Sequence, residues 1–241
     1  MWDNYRALSK IANSLFALAG LLIIYGLINL VVHLDAFSVR QVKIVGNIRN
    51  VTAQQIEVVV RRELKGNFFT MDLITTKAAF EKLPWVRSAN LRRQWPDRID
   101  VSLEEHQALA RLGDSALVNI HGEVFEAASD VALPIFFAPL DYVQGVTQRY
   151  LSFREQLNAI GLALKQIKVS ARGAWEIRLD NDMVLALGRE RIDERMARFV
   201  AAYPVSITNA TQRVSYVDLR YANGFAVRVR IPGLSSQHLK S

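Results

Sequence analysis

The segment FSVRQVKIVG, residues 37–46, gives the first indication of how this chain folds. Apolar residues recur at Val39, Val42 and Ile44, and a glycine closes the run. This pattern is typical of a β-strand that ends in a turn.

Two helices are predicted to follow that strand. Thr52, with Gln55 three residues later, matches a capping box, and apolar residues then repeat at helical spacing over Ala53–Leu64. A second helix is predicted over Asp72–Leu83. It ends before Pro84, because proline cannot continue a helix.

A strand pair completes the first domain. Val86–Gln94 and Arg98–Ala110 are predicted strands, and Trp95-Pro96-Asp97 between them is a turn signal. The predicted order is therefore β-α-α-β-β, over residues 37–111.

Upstream of this domain, residues 11–34 form a run of 24 residues without Asp, Glu, Lys or Arg. A helix of this length spans roughly 36 Å, enough to cross a hydrocarbon core of about 30 Å. A cleaved signal peptide is the alternative, but its apolar region should be about 7–15 residues long. We therefore expect a retained transmembrane helix after a stub of residues 1–10.

Charge leaves the orientation of this helix open, because basic residues precede it and follow it alike. A short N-terminal stub and a long C-terminal region fit a signal anchor with the domains outside the cytoplasm. The net charge of +7 is compatible with nucleic acid, an anionic surface or an acidic partner, or simply with solubility. The chain has no cysteine, which excludes disulfides and cysteine metal ligands.

A second domain is predicted over residues 112–231, and the tail 232–241 is expected to be loose. Its predicted helices are Gln148–Leu164 and Ile192–Tyr203. Its predicted strands are Ala116–Ile120, Val124–Glu126, Ile167–Val169, Trp175–Leu179, Met183–Leu187, and a hairpin of Val214–Tyr221 and Phe225–Ile231 across Ala222-Asn223-Gly224. The expected fold class is α+β, with a mixed α/β second domain and a largely antiparallel sheet.

Catalytic and cofactor motifs are missing from the sequence, so we expect neither an enzyme nor a bound cofactor or metal. The four histidines show no metal-ligand spacing, and no nucleophile elbow or phosphate-binding glycine loop occurs. Glu104 and Glu105 are neighbours on a strand and point to opposite faces. Asp180 and Asp182 fit a hairpin turn better than a calcium loop. Arg92-Arg93-Gln94-Trp95 is too short a basic and aromatic cluster to predict nucleic-acid binding.

The last predicted strand alternates cleanly, with Phe225, Val227, Val229 and Ile231 on one side and Ala226, Arg228 and Arg230 on the other. A strand near the chain end often lies at a sheet edge, where it can accept another strand. The other interpretation is an edge that its arginines merely protect from aggregation.

The order of these motifs resembles the FtsQ/DivIB family of bacterial cell-division proteins. Residues 37–46 look like the opening strand of a POTRA domain, the polypeptide-transport-associated module. The other matching segments are Leu83–Val86, Arg93–Ile99 and Leu103–His106 in the POTRA domain, and Ala197–Val200, Tyr203-Pro204 and Tyr216–Tyr221 with Gly224 in the C-terminal β domain.

The resemblance implies a non-enzymatic scaffold at the division septum. It implies an inner-membrane protein with a cytoplasmic N-terminus and a periplasmic C-terminal region. The expected partners are FtsB and FtsL, two small coiled-coil membrane proteins that lead on to septal peptidoglycan synthesis. In the family, the last strand of the β domain receives a strand of FtsB.

Carried onto this chain, the resemblance implies a set of partner-binding residues: Arg172, Arg220, Tyr221, Asn223, Gly224, Phe225, Ala226 and Val227. Arg172 corresponds to a basic contact with an acidic residue of FtsB. Gly173 follows it, where the family would lead us to expect a second basic residue.

Two other classes of protein remain open at this stage. One is an outer-membrane assembly or secretion component, which would also carry POTRA modules but would need a β-barrel of many more residues. The other is an anchored cell-wall enzyme, which would need a convergent set of catalytic side chains.

Overall fold

A computed structural model describes residues 5–32, 37–207, 214–222 and 224–229. The chain divides into two compact units, Met1–Glu105 and His106–Ser241.

The first helix, α1, extends over Tyr5–Val32. Its segment Ser9–Val32 has a mean hydropathy of 2.5 and is not buried inside the protein, as a membrane-spanning helix requires. The helix begins earlier than the predicted Ile11, and the predicted end at Leu34 lies outside the described residues.

The first domain contains α2 and α3 against a sheet of three strands. The elements are β1 (Gln41–Val45), α2 (Ala53–Glu63), α3 (Leu73–Glu81), β2 (Val86–Gln94) and β3 (Arg98–Glu105). The predicted order β-α-α-β-β is confirmed, as is the capping box of Thr52 and Gln55. The strand order is β1-β3-β2, with β1 parallel and β2 antiparallel to β3.

The strand predicted over Arg98–Ala110 is in fact two strands in different sheets. β3 ends at Glu105, whose carboxylate accepts the backbone N–H groups of Asn50 and Val51 at 2.9 and 2.8 Å and so ties the strand end to the first domain. The next strand, β4 (Ala108–Leu112), belongs to the larger sheet. The two units therefore separate between Glu105 and His106, rather than after Arg111.

Within the described residues, the second domain is built on nine strands and two α-helices. Its elements are β4, β5 (Ala116–Asn119), β6 (Val124–Phe125), β7 (Ile135–Phe137), α4 (Val143–Asn158), β8 (Leu164–Val169), β9 (Trp175–Leu179), β10 (Val184–Gly188), α5 (Ile192–Ala202), β11 (Val214–Asp218) and β12 (Ala226–Val229). The strand order is β12-β11-β10-β9-β8-β7-β4-β5-β6. Most neighbours are antiparallel, as predicted, and the parallel pairs are β10–β11, β7–β8 and β4–β7.

Three predictions for this domain were wrong. β7 lies in a stretch between two prolines that had the composition of a loop. The helix predicted over Gln148–Leu164 begins at Val143 and ends at Asn158, because Gly161, at a φ of +74°, turns the chain into β8. In the final hairpin, β11 ends at Asp218 rather than Tyr221 and β12 begins at Ala226 rather than Phe225, and Asn223 lies outside the described residues.

Helices α4 and α5 cover one face of the large sheet. Phe153 and Leu157 of α4 and Phe199 of α5 are fully buried in a cluster that includes Ile177 of β9 and Val217 of β11. The helices contact each other and the strands β8 and β10. The core therefore lies under the middle of the sheet, and β12 lies beyond it at the edge.

Candidate functional site

Strand β12 forms one edge of the nine-stranded sheet. Within the described residues it pairs with β11 alone, antiparallel, and all four of its residues are exposed. Val227 is 48% exposed and Val229 is 44% exposed. An edge strand presents a row of backbone N–H and C=O groups that another strand can pair with.

The two exposed valines lie on the side of the sheet that faces the core. Val227 is opposite Val217, which is fully buried, and Val229 is opposite Val214. Residues directly opposite each other in a sheet share one face. The apolar face of the sheet therefore continues past its helical cover onto β12.

The other face of the strand carries Arg228. Its guanidinium lies 5.3 Å from the centroid of the Tyr216 ring, a cation–π arrangement with the residue opposite it. Arg228 therefore lies over the face away from the two valines.

The loop between β11 and β12 is held by two arginines of α5. Arg198 donates to the carbonyl oxygens of Leu219, Tyr221 and Ala222 at 2.9, 3.1 and 2.6 Å. Arg195 donates to the carbonyl oxygen of Arg220 at 3.2 Å and to that of Leu187 at 2.5 Å. These bonds hold the backbone that carries Arg220 and Tyr221 against α5.

Arg220 makes a second local contact that shapes this loop. Its guanidinium donates to both carboxylate oxygens of the buried Asp218, with a shortest distance of 2.6 Å. The hydrogen bond from Arg220 is the main reason that the pKa of Asp218 lies below its ordinary value. In return, Asp218 raises the pKa of Arg220, which stays positively charged.

A tight backbone approach at the end of β10 makes room for this arrangement. Gly188 has a φ of +76°, in the left-handed region that favours glycine. A Cβ atom there would lie 2.8 Å from Arg195 Nη1 and 3.2 Å from Arg220 Cγ. Any larger residue would push against both arginines.

The remaining residues of the predicted site differ in exposure. Tyr221 is 58% exposed, so its ring is available at the surface. Phe225 is half-buried and packs against the main core, and Gly224 is also half-buried. The structure brings Arg220, Tyr221 and residues 224–227 together along one hairpin; Asn223 lies outside the described residues.

Arg172 lies apart from this hairpin, in the exposed turn between β8 and β9. It lines an open concavity of about 370 Å³ together with Arg149, Arg189 and Asp141. Trp175 pairs with Gly188, so this turn is at the same end of the sheet as the end of β10. Because β11 is parallel to β10, Arg220 also lies at this end.

Arg195 and Arg198 are the site residues that sequence reasoning missed. The only signal for them was spacing: Arg191, Arg195 and Arg198 recur at i, i+4 and i+7, which places them on one side of a helix. That spacing gave no indication of what they contact, since the loop they hold is more than twenty residues further along the chain.

The described residues contain no group of three His, Asp or Glu side chains that could hold a metal ion. The two neighbouring glutamates have separate structural partners: Glu104 pairs with Arg87 at 2.9 Å, and Glu105 caps the loop at Asn50. Asp182 pairs with Lys165 at 3.1 Å, and the segment containing it is a hairpin turn, as predicted.

Taken together, the fold and the site define a class of protein: an apolar N-terminal helix, a small β-α-α-β-β domain, and an α+β domain with an open sheet edge. Two family models match these parts. The model of the FtsQ-type POTRA domain matches residues 37–106, and the model of the C-terminal region of the cell division protein FtsQ/DivIB matches residues 108–220. The chain belongs to the FtsQ/DivIB family of cell-division proteins.

Relatives across most of the chain agree with this assignment, and each carries the name cell division protein FtsQ. The relative from Nitrosospira multiformis is 44% identical over 233 residues, which cover 95% of this chain and 99% of that protein. The relative from Burkholderia pseudomallei is 38% identical, over 95% and 94% of the two chains. The relative from Neisseria gonorrhoeae is 32% identical, over 97% of both.

Proposed function

We propose that this chain is a non-enzymatic scaffold of the division machinery that binds FtsB and FtsL by accepting a strand of FtsB on β12. Through them it links early division proteins to septal peptidoglycan synthesis. The observation that carries the proposal is the open edge of β12, with Val227 and Val229 exposed beside the core.

Strand addition at this edge has a physical basis. The main-chain groups of β12 that do not face β11 would pair with the added strand, and alternate side chains would cover Val227 and Val229. Burial of apolar surface then supplies most of the favourable free energy. Because α5 already holds the neighbouring loop, little ordering entropy is lost there on binding.

The charge at this end of the domain suits an acidic partner segment. Arg220 precedes β12 in the hairpin loop, Arg228 lies within β12, and Arg172 lines a concavity at the same end of the sheet as Arg220. Such charges mainly accelerate association and select among partners, rather than supply affinity. We infer that the partner strand, or the segment beside it, carries Asp or Glu.

We infer that residues 1–10 lie in the cytoplasm, that α1 spans the inner membrane, and that the POTRA domain and the C-terminal domain lie in the periplasm at the septum. The apolar helix supports a single membrane pass. Partners anchored in the same membrane would meet this chain at a raised effective concentration, so a strand-pairing interface of modest affinity suffices.

The proposal is tested by titrating purified FtsB–FtsL against the full chain in lipid nanodiscs. We expect saturable binding, and we expect Tyr221→Ala to weaken it by about 1–2 kcal/mol, because an exposed tyrosine beside the edge is a typical hot-spot residue. Val131→Ala is the matched control, since Val131 is also exposed and lies between β6 and β7, away from β12. Unchanged affinity in a folded Tyr221→Ala variant would contradict the assignment.

A further inference from the structure

One end of the first domain's sheet carries an exposed aromatic and basic surface that strand addition at β12 does not use. The turn between β2 and β3 presents Trp95, which is 73% exposed. Arg92, at the end of β2, and Arg40, just before β1, are also exposed. Phe69, in the loop before α3, is 46% exposed.

Backbone contacts bring these residues to the same end of the sheet. The N–H groups of Arg40 and Gln41 donate to the carbonyl oxygen of Asp97, in the β2–β3 turn, at 2.9 and 3.3 Å. The N–H of Phe68 donates to the carbonyl oxygen of Phe37 at 2.8 Å. The strand start, the turn and the loop before α3 therefore meet at one place.

Side chains strengthen that junction. Arg93 reaches from β2 to the loop before α3 and donates to the carbonyl oxygens of Phe68 and Met71 at 2.7 and 2.6 Å. The rings of Phe37 and Phe69 lie 5.1 Å apart in an edge-to-face contact. We define the juxtamembrane patch as Phe37, Arg40, Phe69, Arg92 and Trp95.

Chain length places this patch close to the anchor. Phe37 follows the last residue of α1, Val32, by five residues. Five residues span at most about 18 Å even when fully extended. The patch contains Phe37, the first described residue of the first domain after the helix. The chain therefore keeps the patch closer to the end of the membrane-spanning helix than it need keep any later part of the domain.

We propose that the juxtamembrane patch docks the first domain on the surface of the bilayer that α1 crosses. Tryptophan favours the membrane–water interface because its ring is apolar and its N–H is polar. Arg40 and Arg92 would contact lipid phosphates, and each basic residue near an anionic surface adds to such binding. Asp97 lies in the same turn as Trp95 and opposes this attraction, whereas Asp100 pairs with Arg98 at 2.9 Å and Asp72 caps α3.

The consequence is a fixed orientation of the first domain against the membrane. The side-chain amide of Asn67 donates to the carbonyl oxygen of Val32 at the end of α1, and docking of the patch would add a second restraint. Two contacts, the helix and the patch, restrict the domain to fewer orientations. This docking does not depend on strand addition at β12, and it holds whether or not the partners proposed above are correct.

The natural absence of cysteine makes a direct test practical. In the full chain, Gln94→Cys places a nitroxide label beside Trp95, and Asn47→Cys places one after β1, at the other end of that strand. The five residues of β1 separate these ends by about 16 Å, at about 3.3 Å per residue. Each protein is reconstituted in nanodiscs that contain phosphatidylglycerol, and collision of the label with oxygen and with a water-soluble nickel chelate is measured.

We expect the label at residue 94 to gain oxygen collisions and lose nickel collisions relative to the label at residue 47. Trp95→Ser should return the label at residue 94 to the values of residue 47. Val58→Ser, which removes an apolar side chain that is 62% exposed on α2, should leave the label at residue 94 immersed. Two results would overturn the proposal. One is equal oxygen and nickel accessibility of the labels at residues 94 and 47, and the other is an accessibility at residue 94 that Trp95→Ser does not change.

Lipid composition tests the role of the arginines. In nanodiscs of phosphatidylcholine alone, the immersion of the label at residue 94 should decrease, because that surface carries no net negative charge. The same decrease should follow from Arg40→Gln with Arg92→Gln in phosphatidylglycerol. If neither change reduces immersion, the arginines do not contribute to the docking.

Discussion

The two edge strands of the nine-stranded sheet, β6 and β12, differ in length and in exposure. β6, at one edge, has only two residues, and its Phe125 is buried and stacks on His106 with ring centroids 4.1 Å apart. β12, at the other edge, has four residues, all exposed. Short, covered strands are a common way to prevent unwanted pairing, and among the described residues β6 shows this feature and β12 does not.

The turns that lead to the two edges are also built differently. Before β6, Asn119 closes a tight turn on itself: its side-chain oxygen accepts the N–H groups of His121 and Glu123 at 2.9 Å each. Before β12, the longer loop is held from outside by Arg195 and Arg198. The turn before β6 is thus stabilised by hydrogen bonds within the turn itself, whereas the loop before β12 is stabilised by hydrogen bonds from helix α5.

The largest effect should come from charging the open edge. Val227→Glu with Val229→Glu places carboxylates where an added strand would exclude water, and burying a charge without a partner is costly. We expect FtsB–FtsL binding to weaken at least about 30-fold, which corresponds to about 2 kcal/mol. Titration of the full chain in nanodiscs measures it.

The matched control is Val124→Glu on β6, because Val124 is 41% exposed at the opposite edge. It should leave the affinity unchanged. Equal losses from the two edges would show that the difference between them has no bearing on binding. Circular dichroism of each variant checks that the domain remains folded.

A smaller effect is expected from releasing the loop. Arg198→Ala removes three hydrogen bonds to loop carbonyls, and we expect about a 10-fold loss of partner affinity as the loop becomes disordered before binding. Amide exchange over residues 219–222 should accelerate in the free protein, and Arg198→Lys should restore part of the affinity. Arg154→Ala, an exposed arginine on α4, is the control. A loss of affinity without faster loop exchange would contradict a positioning role.

Arg172 should matter less, because it lies in a separate turn. We expect Arg172→Ala to weaken binding only about 3-fold, mainly through slower association, and to make the association rate less sensitive to salt. Stopped-flow kinetics at two salt concentrations measure both quantities. Arg178→Ala, on the exposed part of β9, should change neither. An effect as large as that of the double glutamate variant would move the centre of the site to the concavity.

The smallest effect concerns acid stability. Because Arg220 holds the pKa of Asp218 below its unfolded value of about 3.8, this pair stabilises the fold above that pH. The contribution should disappear as the pH falls through the lower pKa of the folded state. Asp218→Asn should lower the thermal midpoint of the full chain at pH 6, and its difference from the unchanged chain should narrow below about pH 4. A difference that is constant with pH would show that the pair does not titrate in this way.

Regular alternation and capping signals were enough to predict most elements. Thr52 with Gln55 identified the start of α2, and the alternation from Phe225 identified a strand near the end of the sequence. β7 was not predicted, because a strand of three residues is too short to show an alternating pattern. β4 was assigned to the wrong sheet because the prediction continued one strand across the polar run Glu104–Gln107, where the alternation of Ile99, Val101 and Leu103 stops.

The candidate site was harder to predict than the fold. Family resemblance supplied the residues of the last hairpin, and whether they bind a partner stays a prediction. The positions of Arg195 and Arg198 could not be read from sequence, because they depend on the parallel pairing of β10 with β11 across α5. Contacts of this kind are set by tertiary packing rather than by local pattern.

Residue-resolved amide hydrogen exchange of the full chain, with and without FtsB–FtsL, tests the central claim most directly. If β12 accepts a strand, alternate amides among Ala226–Val229 should become protected on binding, while the amides of Val124 and Phe125 on β6 should keep their rates. Unchanged exchange on β12 in the saturated complex, or new protection on β6 instead, would contradict it.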